Sequence, residues 1–496
     1  MSIHAQLTPE ALEALKRQKR NSTISSIVIA ALTILLVGLI LGFFLLENYV
    51  RETPTIVTYA ATLNEDQQLD ERKVTTTIQR KPSSPSSAQA KVIAAATASP
   101  TAIPVPEIEI TTPSESFGDT DDFGFGFGDE SGMGGGFQGI PSAMRKRCSP
   151  QDRLARLQET GGAPESEPAV ERGLEWLMKT QNANGSWTTG SHTAGYTGLG
   201  LLTYLGRCET PMSTKYGESV LKAITWLIDL GEKNNGVLAT SPASKHVPYD
   251  HSIALYALAE AYTFCNQLGI VIPNHKEMLL KAGQYMIDNQ NANGGWAYSY
   301  AKQGGHVDTS IVAWHMQALK AMQYTGLEFD GLVRSANRGV EYLERMQNAN
   351  GGFGYRSANA PAGGAGYFTM TGGCVLSLQL WGKGNSSAVR NGAKYIEENT
   401  KFNYDDTYAD LYGHYYEIQV MLNRGGEQWR KYNELVRDQL LANQETDGSW
   451  KRVNTKGGKI RAVAPQFVQN THYRTCLVLL MLESYYRFLP ATGAAR

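Results

Sequence analysis

The sequence predicts an all-α fold, a closed ring of six helix pairs preceded by one transmembrane helix and a disordered linker. Three observations carry this expectation. A short phrase recurs along the C-terminal two-thirds of the chain. Each recurrence belongs to an amphipathic helical pattern followed by a more apolar one. Near the N-terminus, twenty consecutive residues carry no charge.

The phrase first runs from Arg172, Gly173, Leu174, Glu175, Trp176 and Leu177 to Gln181, with Trp187 at its end. It returns from Lys281 through Gln290 to Trp296, from Arg338 through Gln347 to Phe353, and as Gln444 to Trp450. In all four copies Gln stands six residues before the aromatic, and the Gln positions are 109, 57 and 97 residues apart. Those gaps fit a repeating unit of roughly 50 residues with two weakened copies between, and a repeat at that period fixes an architecture. Within a unit, Val170, Leu174 and Leu177 mark one stripe of a half-buried outer helix. The run Tyr196 to Leu205 is apolar most of the way round, as an inner, buried helix should be. The remaining outer and inner pairs are Val220–Leu230 and His251–Tyr262, Met278–Asn289 and Thr309–Met322, Val333–Met346 and Thr371–Trp381, Ala388–Glu398 and Leu411–Asn423, and Tyr432–Asn443 and Thr471–Phe488. The last inner helix is as apolar as the middle ones. An open solenoid needs polar end caps, and a ring that closes on itself does not.

Ahead of the ring, Thr8 and Pro9 suit the start of a short helix that ends in the basic run Lys16, Arg17, Lys19 and Arg20. The uncharged stretch Ile27–Leu46 is long enough to cross a hydrocarbon core of about 30 Å. Basic residues precede it, so the N-terminus is expected in the cytoplasm and the remainder outside the inner membrane. The expected organisation is a cytoplasmic segment 1–24, a single-pass helix 25–47, a low-complexity linker 48–145 and the ring domain 146–496. The linker is Ser/Thr/Ala/Pro-rich and then Gly-, Asp- and Phe-rich, and it lacks the apolar content to offset the entropy of ordering. Its Phe-Gly pairs between Phe117 and Gly139 are either plain linker or interaction points. A leader helix is expected around Gln151–Gln158.

With a formal charge of −1 and a pI near 6.8 there is no basic field aimed at nucleic acid. The five cysteines (148, 208, 265, 374 and 476) are scattered, with no CxxC, which argues against a disulfide framework and against a zinc ribbon.

The pattern Arg/Lys-Gly-x-x-aromatic-Leu-x3-Gln-x3-Gly-x-Trp resembles the QW motif of squalene and oxidosqualene cyclases. Residues 172–187 match it throughout, 338–353 match with Phe353 for Trp, and the copies near Lys281 and Gln444 are partial. The resemblance covers about two-thirds of the chain and implies the (α/α)6 toroid that those enzymes share with protein prenyltransferase β-subunits. Family cyclases carry two such domains and this chain has length for one. The motif itself is structural: the Gln amide is expected to satisfy backbone groups at a helix end, with the aromatic stacked on it.

Inner helices of such a ring start at one mouth, so chemistry is sought there: Tyr196; Asp250 and His251; His306 and Asp308; Cys374; Asp410 and His414; His472 and Arg474. Each of these is equally at home as a cap or a core residue. Three functions remain open. A terpenoid cyclase needs a carboxylic acid able to protonate an alkene, and aromatic walls for the carbocation. Its Asp-x-Asp-Asp-Thr-Ala motif is resembled by Asn403 to Tyr408. This implies Asp405 as proton donor and Asp406 as its partner, with Asp410 and His414 following, and Tyr196, His251, Asp308, Trp314, Tyr412, Tyr415 and Tyr473 around an isoprenoid or lipid cavity. A zinc prenyltransferase would use Cys374 and His472 as ligands, although Gly372 stands where that family has Asp; otherwise no cofactor is expected. A non-catalytic, exported ring binding a lipid, glycan or protein partner is the third. The run Gly425, Gly426, Glu427 and Gln428 echoes the thioester motif of α-macroglobulins, but without its Cys no thioester forms.

Overall fold

A computed structural model describes residues 91–92, 147–360, 369–405, 409–453, 467 and 469–487. The proposed anchor Ile27–Leu46 and most of the linker lie outside the described residues. Among the described residues no helix is long and apolar enough to cross a membrane.

A leader helix, α1 (Pro150–Thr160), starts with Ser149 accepting from the Asp152 N–H and stops at Gly161, whose φ of 79° ends the helix left-handed. Six pairs follow. The outer helices are α2 (Ser166–Thr180), α4 (Gly217–Lys233), α6 (His275–Asp288), α8 (Leu332–Glu344), α10 (Ser387–Asn399) and α12 (Gly426–Ala442). The inner helices are α3 (Thr193–Gly206), α5 (Val247–Gln267), α7 (Thr309–Tyr324), α9 (Thr371–Leu378), α11 (Leu411–Arg424) and α13 (Thr471–Arg487). Every pair expected from the sequence is present. Gly425 and Gly426, both at positive φ, make the turn between α11 and α12, which accounts for the Gly-Gly-Glu-Gln run. A two-residue parallel pairing joins β1 (Lys91–Val92) to β2 (Ile270–Val271).

The ring closes. Each inner helix packs on the next, α3 on α5, α5 on α7, α7 on α9, α9 on α11 and α11 on α13, and α13 returns to α3. Each outer helix lies in the groove between two inner ones, and α2 bridges α13 and α3 across the closure. Burial follows the pattern: α8 buries Leu332, Ala336, Val340 and Leu343 on one side, whereas every residue of α9 is buried.

The repeated phrase stitches the pairs together. In each copy the Gln side-chain amide donates twice, to the Gly carbonyl four residues on and to a first-turn carbonyl of the outer helix that follows. Gln181 reaches Gly185 and Ser219, Gln290 reaches Gly294 and Ser335, and Gln347 reaches Gly351 and Ala388, all at 2.7–3.1 Å. Gln444 reaches Gly448 and Ala169, so the last copy bonds the first outer helix and closes the circle. It is the aromatic that satisfies the helix end: the indoles of Trp187, Trp296 and Trp450 donate to Leu177, Met286 and Leu440 ten residues earlier. The Gln amide thus meets backbone groups at a helix end, as expected, and that end belongs to the neighbouring unit. The motif Gly has its own requirement. Gly294 sits at φ +96°, and a Cβ there would stand 2.5 Å from the Arg338 carbonyl oxygen.

Where the inner helices end, residues 147–162 cover the ring. Arg147 pairs with Glu260 at 2.8 Å, Arg487 pairs with the same carboxylate at 2.9 Å, and Trp429 donates to Thr160. Cys148 and Cys208 form a disulfide across 60 residues. The scattered cysteines thus yield one crosslink, because the leader returns beside the end of α3; Cys265, Cys374 and Cys476 are free and buried.

Gln444→Met removes the closing donor and leaves the Ala169 and Gly448 carbonyls to find other partners; urea unfolding should show a loss of roughly 1–3 kcal/mol. Cys148→Ser should lower stability by roughly 2–4 kcal/mol, through a freer unfolded chain.

Candidate functional site

The mouth lies where the inner helices begin. His192 and His246 occupy the positions just before α3 and α5, and Asp308 caps α7. His192 Nδ1 lies 3.0 Å from the buried Asp250 carboxylate, with 24% of the His192 side chain exposed. That hydrogen bond raises the His192 pKa above its ordinary value, while burial raises the Asp250 pKa. His246 stands edge-on to His192 (5.7 Å) and to Tyr298 (5.4 Å), and burial lowers its pKa. The phenols continue the line: Tyr249 bonds Tyr298 at 3.1 Å and Ser310 at 2.6 Å, and Tyr298 bonds Tyr355 at 3.2 Å.

Asp308 is fully buried. Its Oδ1 accepts from the Ser310 and Ile311 N–H groups at 2.9 and 3.0 Å. No well-aligned hydrogen bond reaches its Oδ2; His306 Nε2 stands 3.6 Å away, and the Tyr298 and Tyr355 phenols lie close enough to interact with the carboxylate. Burial first, and then the Asp308 charge, push the Tyr249, Tyr298, Tyr342 and Tyr355 phenols above their ordinary range. Beside it a crevice of about 160 Å3, lined by Ser310, Ala313, Thr369, Met370, Tyr412 and Tyr416 among others, is too narrow to admit water.

The centre of the ring is filled by contacts between helices that are not neighbours in the circle. Trp314 of α7 stacks on Tyr415 of α11 at 5.4 Å, and Tyr415 donates to Gln317 at 2.9 Å. Deeper down, Arg487 of α13 reaches Glu260 and Tyr256 of α5 at 2.9 and 3.0 Å.

These placements revise the candidates. Asp405 is a surface residue, 71% exposed and paired with Lys451 at 3.3 Å, so it lacks the enclosed setting a proton donor to an alkene requires. Asp406 lies outside the described residues. Asp410 caps α11 through the Gly413 N–H. His414 faces outward, bonding the Tyr432 hydroxyl and the Lys401 carbonyl. His251 faces the outer layer too: Nδ1 accepts from the Leu238 N–H and Nε2 donates to Ala282. His472 Nε2 donates to the Tyr196 carbonyl, and its ring stacks on Trp187. Cys374 is buried near Thr309, and burial pushes its thiol above the ordinary range. Cys374 and His472 therefore stand in separate settings, and among the described residues no group of three His, Cys, Asp or Glu could hold a metal. Trp314, Tyr412 and Tyr415 fill the centre, while Tyr196 and Tyr473 meet at 6.0 Å near the mouth. The single shared cluster expected at the helix starts thus divides. Asp250, His306, Asp308 and Tyr196 gather at the mouth, whereas His251, His414 and His472 hold helices together. His192, His246, Tyr298 and Tyr355 are mouth residues that the sequence pattern did not single out. Their signal is register: His192 and His246 stand one residue ahead of an inner helix.

No family model matches the chain. In sequence it is similar to squalene–hopene cyclase of Zymomonas mobilis, 25% identical over 201 residues, which is 37% of this chain and 29% of the relative. The chain therefore spans less than a third of that enzyme. Among solved structures, the type II terpene cyclase MstE from Scytonema with merosterolic acid A aligns at a TM-score of 0.44 and 12% identity, over 67% of this chain and 99% of that one. A protein from Actinoplanes aligns at 0.42 and 14% identity, over 64% and 99%.

Burial holds four histidines neutral, His251, His275 and His472 down to about 4 and His315 to about 3. Their folded pKa lies below the unfolded value, so the stability they confer is present above about pH 6.5 and is lost as the pH falls toward 4. His192, whose pKa is raised, acts in the opposite sense. Unfolding free energies from urea titrations between pH 7 and 5 should fall with a slope of up to roughly 5 kcal/mol per pH unit.

Proposed function

We propose that this chain carries a squalene-cyclase-like toroid used as a binding module, with the aromatic mouth as its contact face. The observation that carries this reading is the filled centre. Ligand pockets span roughly 300–1,000 Å3, and a polyprene needs a chamber of that order. Trp314, Tyr415, Gln317 and Arg487 occupy that space with contacts across the ring. We place the domain outside the inner membrane, tethered through Ile27–Leu46. The Cys148–Cys208 disulfide supports an oxidising compartment.

A second reading is acid-initiated cyclisation with Asp308, in place of Asp405, as proton donor. It is favoured by the sequence likeness to squalene–hopene cyclase and by a buried carboxylate among phenols with one oxygen that no well-aligned hydrogen bond reaches. It requires Trp314 and Tyr415 to part. Zinc-dependent prenyl transfer has no supporting arrangement among the described residues.

The two readings separate on one assay. Full-length protein in detergent is incubated with squalene and with a geranylgeranylated phenol, and products are followed by mass spectrometry. The binding reading expects no conversion. Cyclised product from the wild type and from Asp405→Asn, but lost at least about 100-fold in Asp308→Asn, would establish the second reading and overturn the first.

A further inference from the structure

The mouth has two properties that together describe its occupant. Six rings follow one another along it with centroids 4.8–5.7 Å apart: Phe467, His192, His246, Tyr298, His306 and Tyr355. None of the six is fully buried, so the strip offers ring surface to a partner.

The strip is also bordered by positive charge. The loops entering α3, α5 and α7, and the described part of the loop entering α9 (residues 181–192, 234–246, 289–308 and 345–360), contain Lys245, Lys302, Arg345 and Arg356. Their one acid is Asp308, which is buried. Lys302 and Arg356 are exposed, and the charges of Lys245 and Arg356 are both felt at His306. A ligand suited to this surface presents aromatic side chains and carboxylates on an extended, unbranched backbone.

The chain itself contains such a segment. Between Phe117 and Gly139 stand five Phe (117, 123, 125, 127 and 137) and five acids (Asp119, Asp121, Asp122, Asp129 and Glu130), with no Lys or Arg. The segment lies outside the described residues. Its length of connection allows the contact. Phe125 is 22 residues from Arg147, a connection that reaches at most about 75 Å at ~3.4 Å per residue. The ring is about 30 Å deep, the length of its longest inner helix.

We propose that the acidic Phe-Gly segment Phe117–Gly139 docks on the aromatic strip at the mouth of its own ring, and so competes with any external partner for that face. The inference rests on the reading of the mouth as a contact face. The His and Tyr rings of the strip offer edges and faces suited to Phe, and Lys245, Lys302 and Arg356 offer positive charge to an acidic segment. Salt weakens the charged part of the contact and leaves the apolar part.

The test is hydrogen exchange by mass spectrometry on the full chain, comparing wild type with the combined variant Phe123→Ser, Phe125→Ser and Phe127→Ser. The expected result is exchange at least about fivefold faster in the variant across the mouth loops near His192, His246 and Tyr298, with the outer helices unchanged. Excess synthetic peptide of residues 117–139 should restore the protection in the variant, but not when Arg356→Glu is added. Protection in the wild type should survive tenfold dilution. Equal exchange in wild type and variant overturns the inference while leaving the contact-face reading, which falls only on polyprene turnover. Protection that fades on dilution also overturns it, because the segment would then come from a second copy.

Discussion

The ring depends on one side-chain amide used four times. A glutamine at the end of an outer helix donates one hydrogen to its own turn and the other to the start of the next outer helix. Neither bond is strong alone, since a net contribution of about 1 kcal/mol is usual. Their value is positional. Each amide fixes the rotation and height of one outer helix against its neighbour, and Gln444 applies the same bond between the last and first units. The motif Gly lets the two backbones approach, and the indole secures the end of the donor helix. Closure needs no polar end cap, so both terminal helices can be as apolar as the rest.

Once the ring is closed, the side chains of six inner helices share one enclosed centre, and their size decides what that centre can do. Here large side chains meet across it. Trp314 and Tyr415 fill the upper part, and Arg487, Glu260 and Arg147 form a charged cluster below. A buried charge cluster of this kind adds less stability than its short distances suggest, because desolvation offsets much of the attraction. It does hold the leader in place together with the disulfide. Accessible chemistry is thereby moved to the rim, where half-exposed His and Tyr rings surround two buried carboxylates.

The architecture was legible because it repeats. Six apolar inner stretches and four copies of one phrase are redundant signals, and a weak copy such as the one near Lys281 is read through its neighbours. The site was much less legible. Asp405 matched a motif by residue type, yet its loop turns outward and Lys451 takes its charge. His251 and His472 sit at the right height on the right helices, but the side of a helix a residue faces follows from packing, and both face the outer layer. His192 and His246 lie outside the apolar pattern altogether, so periodicity could not reveal them. Asp308 was placed correctly at a helix start, while the setting of its second oxygen is a tertiary property that no spacing encodes.

The centre of the ring is occupied by side chains that touch across it. A double-mutant cycle on Trp314 and Tyr415, read by urea unfolding of Trp314→Leu, Tyr415→Leu and the pair, tests this directly. Stacked rings in contact should couple by roughly 0.5–1.5 kcal/mol. Additive losses would mean that the two rings do not meet, that the centre is open, and that a chamber for a large apolar substrate exists after all.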